Sequence, residues 1–249
     1  MKRLEDKVAL VTGAGGGIGR AICRTLADEG AWVACVDIDE VACQETVRQV
    51  QDAGGVAKAY CADLSRRHET QQVFADLDRD TGRLDVLVNN AMWIRYEPIE
   101  AVREEVVDKM FGIGLKALFW TTQAGTAALA RRGGSIINMS SIAAVRGTAH
   151  RMVYCTVKGG VAALTLECAA ELGPKQIRVN AIAPGAVLNP GTAERLGPAA
   201  IQLRLDTTPL GRLGQPDDMA RVVLFLASDD SRFVTGTFIP VDGGRLITA

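Results

Sequence analysis

Histidine is almost missing from this chain: His68 and His150 are its only two. A zinc centre built on imidazoles has too few ligands, and no metal is expected. The six cysteines, at 23, 35, 43, 61, 155 and 168, form no C-x-x-C pair. That excludes zinc-ribbon and thioredoxin-type chemistry and points to small hydrophobes in a reducing, cytoplasmic setting. No apolar run approaches the ~20 residues that span a bilayer, so no membrane partner is expected. Glu5, Asp6 and Lys7 interrupt the first apolar run, which argues against a secretion signal. Neither charge sign dominates: 28 Lys and Arg stand against 29 Asp and Glu, scattered along the chain, so nucleic acid is not an expected partner. Internal repeats and low-complexity linkers are absent too.

What is present is an alternation. Short apolar runs at 7–12, 32–37, 56–63, 84–90, 134–140, 177–183 and 237–242 read as strands. They are apolar throughout rather than every second residue, as strands covered on both faces require. Helical patterns lie between them, at about 17–29, 39–53, 66–81, 100–130, 151–172 and 216–228. The expected fold is α/β: one domain over 1–249, a doubly wound parallel sheet of about seven strands with helices on both faces. The irregular stretch around 188–213, rich in proline, is expected to be a substrate loop.

The first strand runs into "VTGAGGGIGRAI", which opens the first helix. Glycines at 13, 17 and 19 let the backbone turn sharply and let a pyrophosphate approach the helix N-terminus. Asp37 ends the second strand, 18 residues past Gly19. A carboxylate there accepts hydrogen bonds from ribose hydroxyls and repels a 2′-phosphate. With no Lys or Arg next to it in "DIDE", the expected cofactor is NAD rather than NADP.

Further along come Asp63, "NNA" at 89–91, "SS" at 140–141 and "YCTVK" at 154–158. In this order and spacing the chain resembles the short-chain dehydrogenase/reductase family from residue 7 to about 244. The resemblance implies a Rossmann-type fold and hydride transfer between a nicotinamide and an alcohol or carbonyl carbon. It assigns catalysis to Ser141, Tyr154 and Lys158, the serine lying 13 residues before the tyrosine. Tyr154 and Lys158 stand four apart, on one helix face. A cation ~4–6 Å from a phenol lowers its pKa by about 1–3 units, so Lys158 is expected to make Tyr154 a usable base. The resemblance assigns the cofactor to Gly13, Gly17, Ile18, Gly19, Asp37, Asp63, Leu64, Asn90, Tyr154, Lys158, Pro184, Gly185, Val187 and Asn189. It gives Asn89 framework contacts.

Asn189 stands where the family often has Thr, and two further departures from its pattern matter more. Met92 stands where "NNAG" has its glycine, and Gly114 stands forty residues before the tyrosine, where many members carry an Asn that holds a relay water. A weakened relay is expected, and Asn restored at 114 is expected to raise turnover. Trp93, Arg95, Ala143, His150 and Arg151 are the candidate substrate residues; Arg95, Arg146, His150 and Arg151 give the pocket a positive lean that suits a sugar or sugar acid, while Trp93, Met92 and Leu188 argue equally for an apolar ring, as in a cyclic alcohol. A catalytically weakened dinucleotide sensor or structural subunit is the alternative function. The helices at 100–130 and 151–172 are apolar on more than one face, and a homotetramer is expected.

Overall fold

The structure, a computed structural model, describes residues 2–188 and 197–248. Its seven strands are β1 (Val8–Thr12), β2 (Trp32–Asp37), β3 (Val56–Cys61), β4 (Val86–Asn89), β5 (Gly134–Met139), β6 (Ile177–Pro184) and β7 (Phe238–Val241). All pair in parallel, in the order β3-β2-β1-β4-β5-β6-β7. The helices are α1 (Gly17–Asp28), α2 (Glu40–Asp52), α3 (Arg67–Thr81), α4 (Glu104–Phe111), α5 (Ala117–Leu129), α6 (Met152–Leu172), α7 (Pro198–Asp206) and α8 (Pro216–Ala227).

The strands carry two cores because successive side chains leave opposite faces. Ala9, Val11, Val33, Val88 and Ile182 pack under α1 and α8, against Ile22, Leu26 and Val223. Their neighbours Val8, Leu10, Val36, Leu87 and Ile136 pack on the other face, against Phe74, Leu77 and Leu129. The unbroken apolar character of β1 and β4 follows, since every residue of both is buried.

Two elements differ from the sequence expectation. The helix expected over 100–130 is divided: a π turn at Gly112–Lys116 joins α4 to α5. Two glycines in five residues weaken regular helix enough to admit the wider turn. The stretch expected to be irregular contains α7, which starts on Pro198 after Gly197. Proline suits the first helical position, where its missing N–H costs nothing. The break in strand order between β1 and β4 opens a crevice at the strands' carboxyl ends, where α/β sheets take their ligands.

Candidate active site

The glycine turn is built to tolerances only glycine meets. Gly13 has φ +66°, and a Cβ on it would lie 2.8 Å from the Ala91 Cα. A Cβ on Gly19 would lie 2.0 Å from the Gly13 carbonyl oxygen. Asn90 latches the turn: its Nδ2 donates to the carbonyls of Thr12 at 2.9 Å and Gly13 at 3.1 Å. Thr12 Oγ1 accepts from the amides of Asn90 and Ala91 in return. No side chain caps the N-terminus of α1, so its first N–H groups remain for an anion. Asp37 holds the other wall, one oxygen accepting from the Gly15 amide at 2.9 Å and the other from Asp39 at 3.0 Å.

A cleft of about 390 Å³ runs along this turn and takes in Gly13, Gly17, Ile18, Gly19, Asp37, Asp63, Leu64 and Asn90. It has what a dinucleotide needs: a backbone turn with no room for a Cβ at Gly13, Gly15 or Gly19, uncapped amides for the pyrophosphate and a carboxylate for the ribose. Asp63 has partners of its own, accepting from the Ser65 amide and hydroxyl and pairing with Arg66 at 3.4 Å. Asn89 belongs to the framework. Its amide donates to Asn138 at 2.9 Å across the β4–β5 register, and its carbonyl accepts from Thr121 at 2.7 Å.

A second cleft of about 420 Å³ continues from the first, sharing Ile18, Asn90 and Met92 with it. Ser141, Tyr154 and Lys158 converge there with Pro184, Gly185 and Val187, while Asn189 lies outside the described residues. Lys158 is anchored at 2.6 Å to the Met139 carbonyl, and the Ser140 hydroxyl donates to the Lys158 carbonyl at 2.9 Å, fixing α6 to the end of β5. The Lys158 ammonium lies 5.9 Å from the Tyr154 ring centre.

The electrostatics differ from the sequence expectation. Burial dominates Tyr154 and pushes it up to about 12; a Ser141 hydrogen bond and the Arg151 charge pull it back only partly. Lys158 is not among the strongest influences on it. Burial brings Lys158 itself down to about 8, because desolvation disfavours an ammonium. In the protein alone, Tyr154 therefore keeps its proton at neutral pH.

The substrate candidates separate. Ala143 and Arg151 line the second cleft. Trp93 lines the first instead, with the Lys109 ammonium 4.5 Å from its ring centre. Arg95 pairs with Glu97 at 3.1 Å, and His150 is exposed with φ +63°; neither lines the cleft. The sequence reading missed Tyr96 and Arg245, which do line it, as does Arg204 from the stretch expected to be a substrate loop. Tyr96 packs edge-on against Tyr154 with ring centres 5.5 Å apart. Arg204 and Arg245 lie fifty or more residues further along the chain than Tyr154, and no local pattern marks them.

Comparisons with known proteins place the chain among dehydrogenases and reductases. A family model described as enoyl-(acyl carrier protein) reductase matches residues 13–245. The chain is 39% identical over 246 residues to the 3-oxoacyl-[acyl-carrier-protein] reductase of Thermotoga maritima, covering 98% of this chain and 100% of that one. It is 39% identical over 249 residues to the L-xylulose reductase of Bos taurus, covering 99% of each. A solved 7α-hydroxysteroid dehydrogenase, complexed with NADH and 7-oxo glycochenodeoxycholic acid, superposes with a TM-score of 0.94 at 34% identity, covering 97% of this chain and 95% of that one.

Proposed function

The chain belongs to the short-chain dehydrogenase/reductase family and is an oxidoreductase, and from that premise we propose that it moves a hydride between NAD(H) and a secondary alcohol or ketone. The observation that carries this reading is the convergence of Ser141, Tyr154 and Lys158 in a cleft that adjoins the glycine cradle. A bound nicotinamide dinucleotide would supply the hydride carrier and, when oxidised, a positive charge. Gly13, Gly17, Ile18 and Gly19 would hold its pyrophosphate and Asp37 its adenosine ribose.

Ser141 would orient the substrate oxygen by donating a hydrogen bond to it. Tyr154 gives that oxygen its proton in reduction and takes it back in oxidation. Lys158 holds a cation near the phenolate that oxidation requires. NADH absorbance over a panel of secondary alcohols, polyols and sugar acids tests the reading. Silence across the panel with NAD bound would favour the sensor or structural-subunit alternative.

Asp37 supports NAD over NADP, because a 2′-phosphate would meet a carboxylate already held in place by two backbone amides. Wild type should bind NAD at least tenfold more tightly, about 1.4 kcal/mol, and Asp37→Ser should narrow that gap. Calorimetry with both cofactors checks it; equal or tighter NADP binding by wild type would sink the assignment. The reading extends to a cytoplasmic homotetramer. Helix α6 is apolar enough by composition to cross a membrane, yet it packs on β6 and carries Tyr154 and Lys158. Exposed Phe119 on α5 and Leu166 on α6 suit burial against a second copy. Light scattering at micromolar concentration should report four subunits, and a monomer would overturn this.

A further inference from the structure

Four arginines from four separate places meet at the second cleft. Arg146 follows β5, Arg151 precedes α6, Arg204 comes from α7 and Arg245 follows β7. Each is half-buried. None has a carboxylate partner among the described residues. By contrast, Arg95 pairs with Glu97 and Arg212 with Asp218.

What holds the cluster together is neutral. One Arg146 nitrogen donates to the Arg245 carbonyl at 2.6 Å, one Arg204 nitrogen donates to the Ala200 carbonyl at 2.6 Å, and the Arg151 guanidinium stacks 4.5 Å from the Tyr96 ring centre. The cations act on one another as well. Burial lowers Arg204 and Arg245, with Arg151 lowering the first further and Arg204, Arg146 and Arg151 the second. Asp242 opposes this on Arg245, but more weakly than any of those arginines, and its own oxygens accept from the amides of Gly244 and Leu246.

Like charges gathered in a partly desolvated cleft cost free energy that an anion would recover. Guanidinium forks match oxyanions in two-point contacts. A lone carboxylate would leave most of the four charges unbalanced, whereas a dianion balances more of them. The cleft also places this charge one aromatic ring away from Tyr154.

We infer that Arg146, Arg151, Arg204 and Arg245 form an oxyanion subsite that selects substrates carrying a phosphate monoester near the reacting alcohol or ketone. This rests on the proposed function for its chemistry but not for its binding. The apolar Ile94, Met92 and Leu213 that share the cleft would contact the carbon skeleton between the two ends.

Calorimetric titration of inorganic phosphate, at constant ionic strength set with chloride, tests the subsite directly. Wild type should bind it, and Arg204→Gln/Arg245→Gln should weaken binding at least about tenfold. Arg204→Lys/Arg245→Lys should fall between the two, because charge remains while the fork is lost. Arg95→Gln should match wild type. Any phosphate held at the α1 N-terminus is the same in all four proteins, so only the difference counts. Circular dichroism and Tm establish that the variants are folded, and a Tm at or above the wild-type value is expected where repulsion is relieved. Equal affinities across the four proteins, or no phosphate binding at all, would overturn the subsite.

A kinetic arm compares glycerol 3-phosphate with glycerol, and sorbitol 6-phosphate with sorbitol. The Gln double variant should raise KM for the phosphorylated member about tenfold more than for its neutral counterpart, with kcat kept, the mark of lost uniform binding. An equal rise for both members would overturn the selectivity. No turnover with any compound, alongside intact phosphate binding, would remove the proposed function and leave the subsite standing.

Discussion

Tyr154→Phe should reduce kcat/KM by roughly 10²–10⁴-fold, the range for loss of a positioned acid–base group, while cofactor affinity and Tm stay close to wild type. The substitution removes one hydroxyl and keeps the ring, so the edge-on packing with Tyr96 is preserved. The pH dependence has a definite sign. Burial raises Tyr154 to about 12, so the phenol form prevails at neutral pH. Reduction needs that form and should be nearly flat through neutrality. Oxidation needs the phenolate and should accelerate as pH rises into the mildly alkaline range. Steady-state rates in both directions check this, and a Phe variant retaining more than a tenth of wild-type activity would remove Tyr154 from the chemistry.

Gly114→Asn should destabilise the protein rather than improve it. A Cβ at 114 would lie 2.6 Å from Met92 Sδ and 2.6 Å from Val157 Cγ1. The two departures from the family pattern are thus one packing event: the Met92 side chain fills the space a residue at 114 would use. Met92 can swing aside, but Val157 is β-branched and fully buried. Overpacking of this kind costs about 1–3 kcal/mol, or roughly 2–12 °C in Tm for a chain of this size. Met92→Gly/Gly114→Asn should recover part of the loss, with a coupling of about 1 kcal/mol.

The gain in turnover expected from Asn at 114 then belongs to the double variant alone. A void of about 10 Å³ beside Gly114, Lys158, Asn89 and Thr121 is close to the size of one water; an amide at 114 would border it. Thermal melts and turnover of the four proteins in this cycle decide the matter. A single Gly114→Asn variant as stable as wild type, or additive effects across the cycle, would refute the steric link.

Much of this was legible in the chain because it depends on local chemistry. Unbroken apolar runs report strands, and all seven are present; β1 and β4 are covered on two faces, while the edge strand β3 exposes Val56. The glycines at 13 and 19 report a backbone that admits no Cβ, and Tyr154 and Lys158 report one face of a helix. Other features needed the folded chain. The π turn at Gly112–Lys116 arises where weak helix meets a crowded neighbour, and Pro198 starts a helix rather than ending order. Arg95 lay near the motifs in sequence but found Glu97, while Arg204 and Arg245 lay far away and reached the cleft. Sequence determined which residues could do the chemistry, since that follows from side-chain type and short spacing. Tertiary structure decided which charges were left without a partner and how far burial moved Tyr154 and Lys158, because both depend on neighbours brought together from distant parts of the chain.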